Sequence, residues 1–134
     1  MKLHKLFPTT IGKINDKPFT DKVLPLAENI LNNIKKKNHL GYKNTYTSPG
    51  ISKKLVSKQF IKEKIFTVAN NFLDNIGYSF IHEPDLQVFV SKMEKNHSHD
   101  LHAHPLSILS GVCYLKIEPK SSPILFQNPN QNKF

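Results

Sequence analysis

Four of the seven histidines in this 134-residue chain fall within eight positions: His97, His99, His102 and His104. Histidines two apart on an extended backbone point to the same side. Their backbone positions are then about 6–7 Å apart, so both imidazoles can reach one metal ion. Neutral imidazole suits zinc, copper, iron and nickel alike. The spacing therefore suggests divalent-metal chemistry without selecting a metal. A solvated, histidine-rich loop with no ligand is the simpler account on spacing alone.

Two kinds of element must position this cluster. Upstream, Thr20 or Asp21 can cap a helix from about Lys22 to Lys36, with Val23, Ala27, Ile30, Leu31 and Ile34 at helical spacing. Pro25 then falls in the first turn, where proline is tolerated. Residues 38–50 are polar and turn-rich and read as a loop. Ile61, Ile65, Val68, Ala69, Phe72 and Ile76 form the apolar stripe of a second helix, which Gly77 stops. Its bland role, packing on a sheet, is the expected one.

Strand character surrounds the histidines. Leu6 to Ile14 reads as a short strand with Pro8 and Gly12 at its ends or a bend. Leu86, Val88 and Val90 alternate with polar neighbours, which predicts a strand over Asp85–Met93. The run Ile108 to Ile117 is apolar on both alternating faces and predicts a strand buried on both sides. Glu118 to Pro123 turns the chain into a last short strand, Ile124–Phe126.

Composition narrows the partners. The formal charge is +9, and all 19 basic residues are lysine, with no arginine. Arginine is the residue preferred for bidentate phosphate and base contacts, and the lysines are scattered, so a solvated surface is expected and no specific nucleic-acid partner. No apolar stretch approaches the roughly 20 residues of a membrane span, and the amino terminus lacks a signal-peptide pattern. Cys113, the single cysteine, cannot form an intramolecular disulfide. The expectation is one cytoplasmic domain over residues 1–134, of undetermined oligomeric state.

The stretch His102-Ala103-His104-Pro105-Leu106-Ser107-Ile108-Leu109-Ser110-Gly111-Val112-Cys113-Tyr114-Leu115 resembles a signature of one branch of the 2-oxoglutarate- and iron(II)-dependent oxygenases, H-x-H-P-x-S-x-L-S-G-V-Y-Y-L. Lys116-Ile117-Glu118-Pro119-Lys120-Ser121-Ser122 and Phe126-Gln127-Asn128-Pro129 are similar to the turn and strand end that follow it there. Leu6-Phe7-Pro8-Thr9 with Ile11-Gly12 resembles that family's opening. The resemblance implies an α+β fold, with amino-terminal helices packed on a partial double-stranded β-helix (a jelly roll of the cupin kind). It also implies iron(II) and 2-oxoglutarate as cofactors and hydroxylation of an unactivated carbon–hydrogen bond. By position, His102 corresponds to the first iron ligand and His104 to the place of the carboxylate ligand. Tyr114 corresponds to a residue able to hydrogen-bond 2-oxoglutarate, although an inward core aromatic is the commoner role for such a tyrosine.

Departures from that pattern bear on activity. Histidine at 104 keeps a donor atom but removes a charge from the usual two-histidine, one-carboxylate set, so it reads as ligand or as a near neighbour that orients one. Cys113 replaces the first tyrosine of the motif, and the glycine near Ser122 is missing. After His104 there is no further histidine, aspartate or arginine, and Glu118 is the only carboxylate. A jelly roll needs about eight strands, and roughly four can be counted here. The expectation is the amino-terminal portion of such an enzyme, incomplete and inactive as it stands. His97 or His99 would be the candidates for completing a triad. The rival readings are a non-catalytic metal-binding or structural fragment and, last, a basic nucleic-acid-binding module.

Overall fold

The computed structural model describes residues 9–33, 46–47, 53–96 and 98–127. Helix α1 spans Lys17–Asn32. It begins one turn before the predicted start because Asp16, rather than Thr20 or Asp21, is the cap. The Asp16 carboxylate accepts from the Phe19 backbone N–H at 3.1 Å, and its carbonyl takes the first helical bond, from the Thr20 N–H at 3.1 Å. Pro18 lies in the first turn, where a missing N–H removes no bond. Lys17 and Asp21 pair across one turn at 2.7 Å. Pro25 consequently sits inside the helix instead of in its first turn, and the helical bond to the Asp21 carbonyl is absent. Asn33 closes the helix, its side-chain amide donating to the Asn29 carbonyl at 2.6 Å. The predicted residues 34–36 lie outside the described residues.

Helix α2 is a single turn, Lys53–Val56, with Leu55 buried. Helix α3, Gln59–Asn75, buries Ile61 and Leu73. Ile65, Val68, Ala69, Phe72 and Ile76 are half-buried beside them, as the stripe requires. Its end has the paired bonds of a Schellman motif: the Gly77 N–H donates to Asp74 at 3.2 Å and the Tyr78 N–H to Leu73 at 2.9 Å. Gly77 takes φ +79°, the left-handed conformation that this motif demands.

The sheet among the described residues is small. Strand β1, Tyr46–Thr47, pairs antiparallel with β2, Ser91–Lys92, Tyr46 opposite Lys92 and Thr47 opposite Ser91. Tyrosine and threonine favour strands, and they form one within a stretch whose composition reads as loop. Only Ser91–Lys92 of the predicted strand Asp85–Met93 carries ladder bonds. The alternation before it is nonetheless real. Pro84, Leu86, Val88 and Val90 turn inward while Asp85, Gln87 and Phe89 stay exposed.

The core lies where α1, α2, α3 and this extended segment meet. Val23, Ala27, Leu55, Ile61 and Val90 are buried together, with Phe19, Phe60, Val88 and Leu115 packed against them. Burying each of the larger aliphatic side chains contributes about 1.5–3 kcal/mol. Phe19 of α1 meets Phe60 of α3 edge to face, ring centres 6.3 Å apart, and Lys22 lies 4.2 Å above the Phe60 ring. Lys64 of α3 pairs with the α1 cap, Asp16. Residues 9–14, predicted as strand, carry no ladder; they run beside α3 so closely that a Cβ on Gly12 would lie 2.9 Å from the Phe72 ring. The rest of that predicted strand, residues 6–8, lies outside the described residues.

The run Ile108 to Ile117 departs furthest from expectation. It was predicted to be buried on both faces, yet Ile108 is 72% and Val112 63% exposed. Leu109 and Leu115 alone are half-buried. Leu115 packs against the buried cluster, and the two-residue ladder β1–β2 does not extend to the run. Ile124–Phe126 is likewise exposed and without ladder bonds. No helix of the described residues is long and apolar enough to cross a membrane.

Candidate metal centre

The histidine-rich segment follows β2 through a turn at Lys95–Asn96, where Asn96 takes φ +67°. Nδ1 of His102 lies 2.8 Å from the Asp100 backbone carbonyl. A carbonyl oxygen can only accept, so Nδ1 carries the proton and Nε2 presents the lone pair. Backbone-held imidazoles of this kind are how proteins fix the tautomer of a metal ligand.

The His104 ring stands 5.0 Å from the His102 ring, centre to centre, at 71°. An imidazole nitrogen sits about 2.1 Å from a bound metal, which puts two rings sharing one ion about 5 Å apart. The pair therefore has the spacing of two imidazoles on one ion. Both residues are exposed.

His99 is next in line, its ring 6.0 Å from that of His102. Its Nε2 is shut off from solvent. Burial, and then the neighbouring His102, hold its pKa below the ordinary histidine value, against a smaller opposing effect of Asp100. His97, the other candidate for a third donor, lies outside the described residues.

Among the described residues no group of three or more histidine, cysteine, aspartate or glutamate side chains is arranged to hold a metal ion. His102 and His104 have the ring separation of such a centre, and the described residues assemble no complete facial triad. Glu118 is paired with Lys116 at 3.2 Å. Cys113, although exposed as a residue, has its thiol pKa pushed up by burial of the thiol and then by the Asp16 carboxylate. A thiol that resists ionisation is a poor metal donor. Tyr114 is 47% exposed, which overturns its core role. It lines neither the cleft beside α1 nor the groove beside α3.

Those cavities are elsewhere. A cleft of about 270 Å³ between α1 and α2 is lined by Leu26, Ile30, Lys54, Leu55 and Lys58. An open groove of about 630 Å³ runs between α3 and residues 80–84, beside Phe66, Phe80 and His82. Neither includes His99, His102 or His104.

Two proline turns frame the run that follows the pair. In His104-Pro105-Leu106-Ser107 the Ser107 N–H returns to the His104 carbonyl at 3.3 Å, and Leu106 takes φ +66°. In Glu118-Pro119-Lys120-Ser121 the Ser121 N–H returns to Glu118 at 3.1 Å, with Lys120 at φ +70°. Both follow the type II pattern, proline second and a left-handed third residue, a place that favours glycine. The prolines mark these turns in the sequence; leucine and lysine in the third place hide their handedness.

Residues 87–134 match the model of a family described as "Putative 2OG-Fe(II) oxygenase". The matched segment includes His99, His102 and His104, both proline turns, and Tyr114. At family level this supports dependence on iron and 2-oxoglutarate. No curated protein and no solved structure matches the chain.

Proposed function

We propose that this chain is a domain of the 2-oxoglutarate- and iron(II)-dependent oxygenase type, the segment from residue 87 onward belonging to a jelly roll. His102 is a metal ligand through Nε2 and His104 is its neighbouring donor. The observation that carries this reading is the family match across a segment whose two motif histidines stand 5.0 Å apart. When bound, the metal and 2-oxoglutarate would supply oxidative chemistry toward a carbon–hydrogen bond. What the chain's own residues supply is metal anchoring: a proton fixed on Nδ1 of His102 by the Asp100 carbonyl and a second imidazole from His104.

The donor set argues that the 134 residues bind metal without turning over 2-oxoglutarate. Among the described residues no third donor converges on the pair, and the chain has no arginine to pair with the cosubstrate's distal carboxylate, so that only a lysine could serve. Leaving such a carboxylate buried and unpaired costs several kcal/mol. Succinate formation is the test, with iron, ascorbate and 2-oxoglutarate supplied. It is expected to stay at background. Turnover abolished by His102→Ala would contradict inactivity while supporting the family and the ligand.

The imidazole-only donor set also favours a second reading, a metal-binding domain without catalysis. Metal-dependent binding of 2-oxoglutarate separates the two, because the second reading requires none. A specific nucleic-acid partner is not proposed. Lysines 17, 62, 64, 92 and 116 are each paired with a carboxylate.

A further inference from the structure

We propose that His102 and His104 form an all-imidazole site that prefers copper(II), nickel(II) or zinc(II) to iron(II) or manganese(II), and that His104 sets this preference. The inference rests on the reading above, in that it takes His102 and His104 as the donors.

Its basis is the chemistry of the donors that converge. The two rings have the separation of imidazoles on one ion. His102 is held by a backbone carbonyl, a partner that fixes the tautomer and adds no charged side chain to the coordination sphere. No cysteine, aspartate or glutamate joins the pair among the described residues. Glu118 is engaged with Lys116, and burial pushes the Cys113 thiol pKa up. His99 is close, but its Nε2 is shut off from solvent, whereas His102 and His104 are exposed.

Neutral nitrogen donors bind through lone-pair donation, and affinity then rises from manganese through iron to nickel and copper. A carboxylate contributes charge as well, which compensates the harder ions at the early end of that order. Histidine at 104 keeps the nitrogen and removes the charge. Both residues are exposed, and among the described residues no aspartate, glutamate or cysteine is grouped with them to restore an anionic donor.

Calorimetric titration of the untagged 134-residue chain with zinc(II), nickel(II), manganese(II) and, anaerobically, iron(II) tests this. Copper(II) paramagnetic resonance would count the bound nitrogens. Zinc and nickel should bind at least about tenfold more tightly than manganese and iron. The copper spectrum should carry two imidazole nitrogens in the native chain and one in His104→Ala. His104→Asp should weaken nickel, strengthen manganese and iron, and narrow the gap. Circular dichroism of each variant checks that the helices persist. Equal or tighter binding of manganese and iron by the native chain, or a gap that does not narrow in His104→Asp, overturns the preference. Binding undiminished in His102→Ala overturns the site itself, and with it the reading on which this inference rests.

Discussion

Nδ1 of His102 donates to the backbone carbonyl of Asp100 across 2.8 Å, two residues upstream. The aspartate side chain takes no part in that bond. Asp100→Ala should therefore leave nickel affinity within about twofold, whereas His102→Ala should lower it by at least about tenfold, the upper end of what loss of a supporting contact alone produces being higher still. Calorimetry on the two variants separates these outcomes. A large loss in Asp100→Ala would mean that its carboxylate, and not its carbonyl, serves the site.

The exposure of the run 108–117 can be tested by stability. Ile61→Ala, in the buried cluster, should cost about 2–5 kcal/mol. Val112→Ala, at an exposed position, should change stability by less than about 0.5 kcal/mol. Urea titration followed by helix signal reads both. A cost for Val112→Ala above about 2 kcal/mol would place this run inside a packed sheet, as its composition predicts.

Leu106 is held at φ +66° in the turn that leaves His104. A leucine in that conformation carries strain of roughly 1–2 kcal/mol, which glycine avoids. The greater freedom of glycine in the unfolded chain gives back part of this, about 0.4–1 kcal/mol. Leu106→Gly should therefore raise the urea midpoint or leave it unchanged. A clear fall would show that residue 106 does not adopt this turn in solution.

Asp16 links three features of the fold: the α1 cap, the ion pair to Lys64 and the approach of Cys113. Its carboxyl is held below the ordinary aspartate value, first by the hydrogen bond from Lys64 and then by that from the Phe19 N–H. A depressed folded-state pKa contributes stability that is present above the unfolded value, about 3.9, and lost as pH falls through the folded one. Asp16→Asn keeps a capping oxygen and removes the charge. The native chain should be the more stable of the two at neutral pH, and the gap should close below about pH 4. A gap that persists unchanged in acid would assign the effect to packing instead.

How legible these features were depended on the range of the forces that set them. Helix α3 was readable because its stripe and Gly77 are local signals; Leu73 was missed as the second residue across a wide stripe. The start of α1 was misplaced because Asp16, Thr20 and Asp21 are all capping residues, and the choice fell to Asp16 through its contacts with Phe19 and Lys64. Residues 108–117 show the opposite case. Their apolar pattern predicts a strand, but ladder bonds and burial depend on long-range partners that no local pattern encodes. The His102–His104 pair was visible from motif and spacing. The Asp100 carbonyl that fixes the tautomer was not, since a backbone acceptor has no residue signature.

The central claim is that His102 and His104 together hold a metal ion. Its most direct test is calorimetric titration of nickel(II), or anaerobic iron(II), into the untagged chain and into the His102→Ala, His104→Ala double variant. The prediction is one binding event in the native chain, weaker in His102→Ala and absent in the double variant, with helix content unchanged. Unaltered binding in the double variant would contradict the account and move the metal to other histidines.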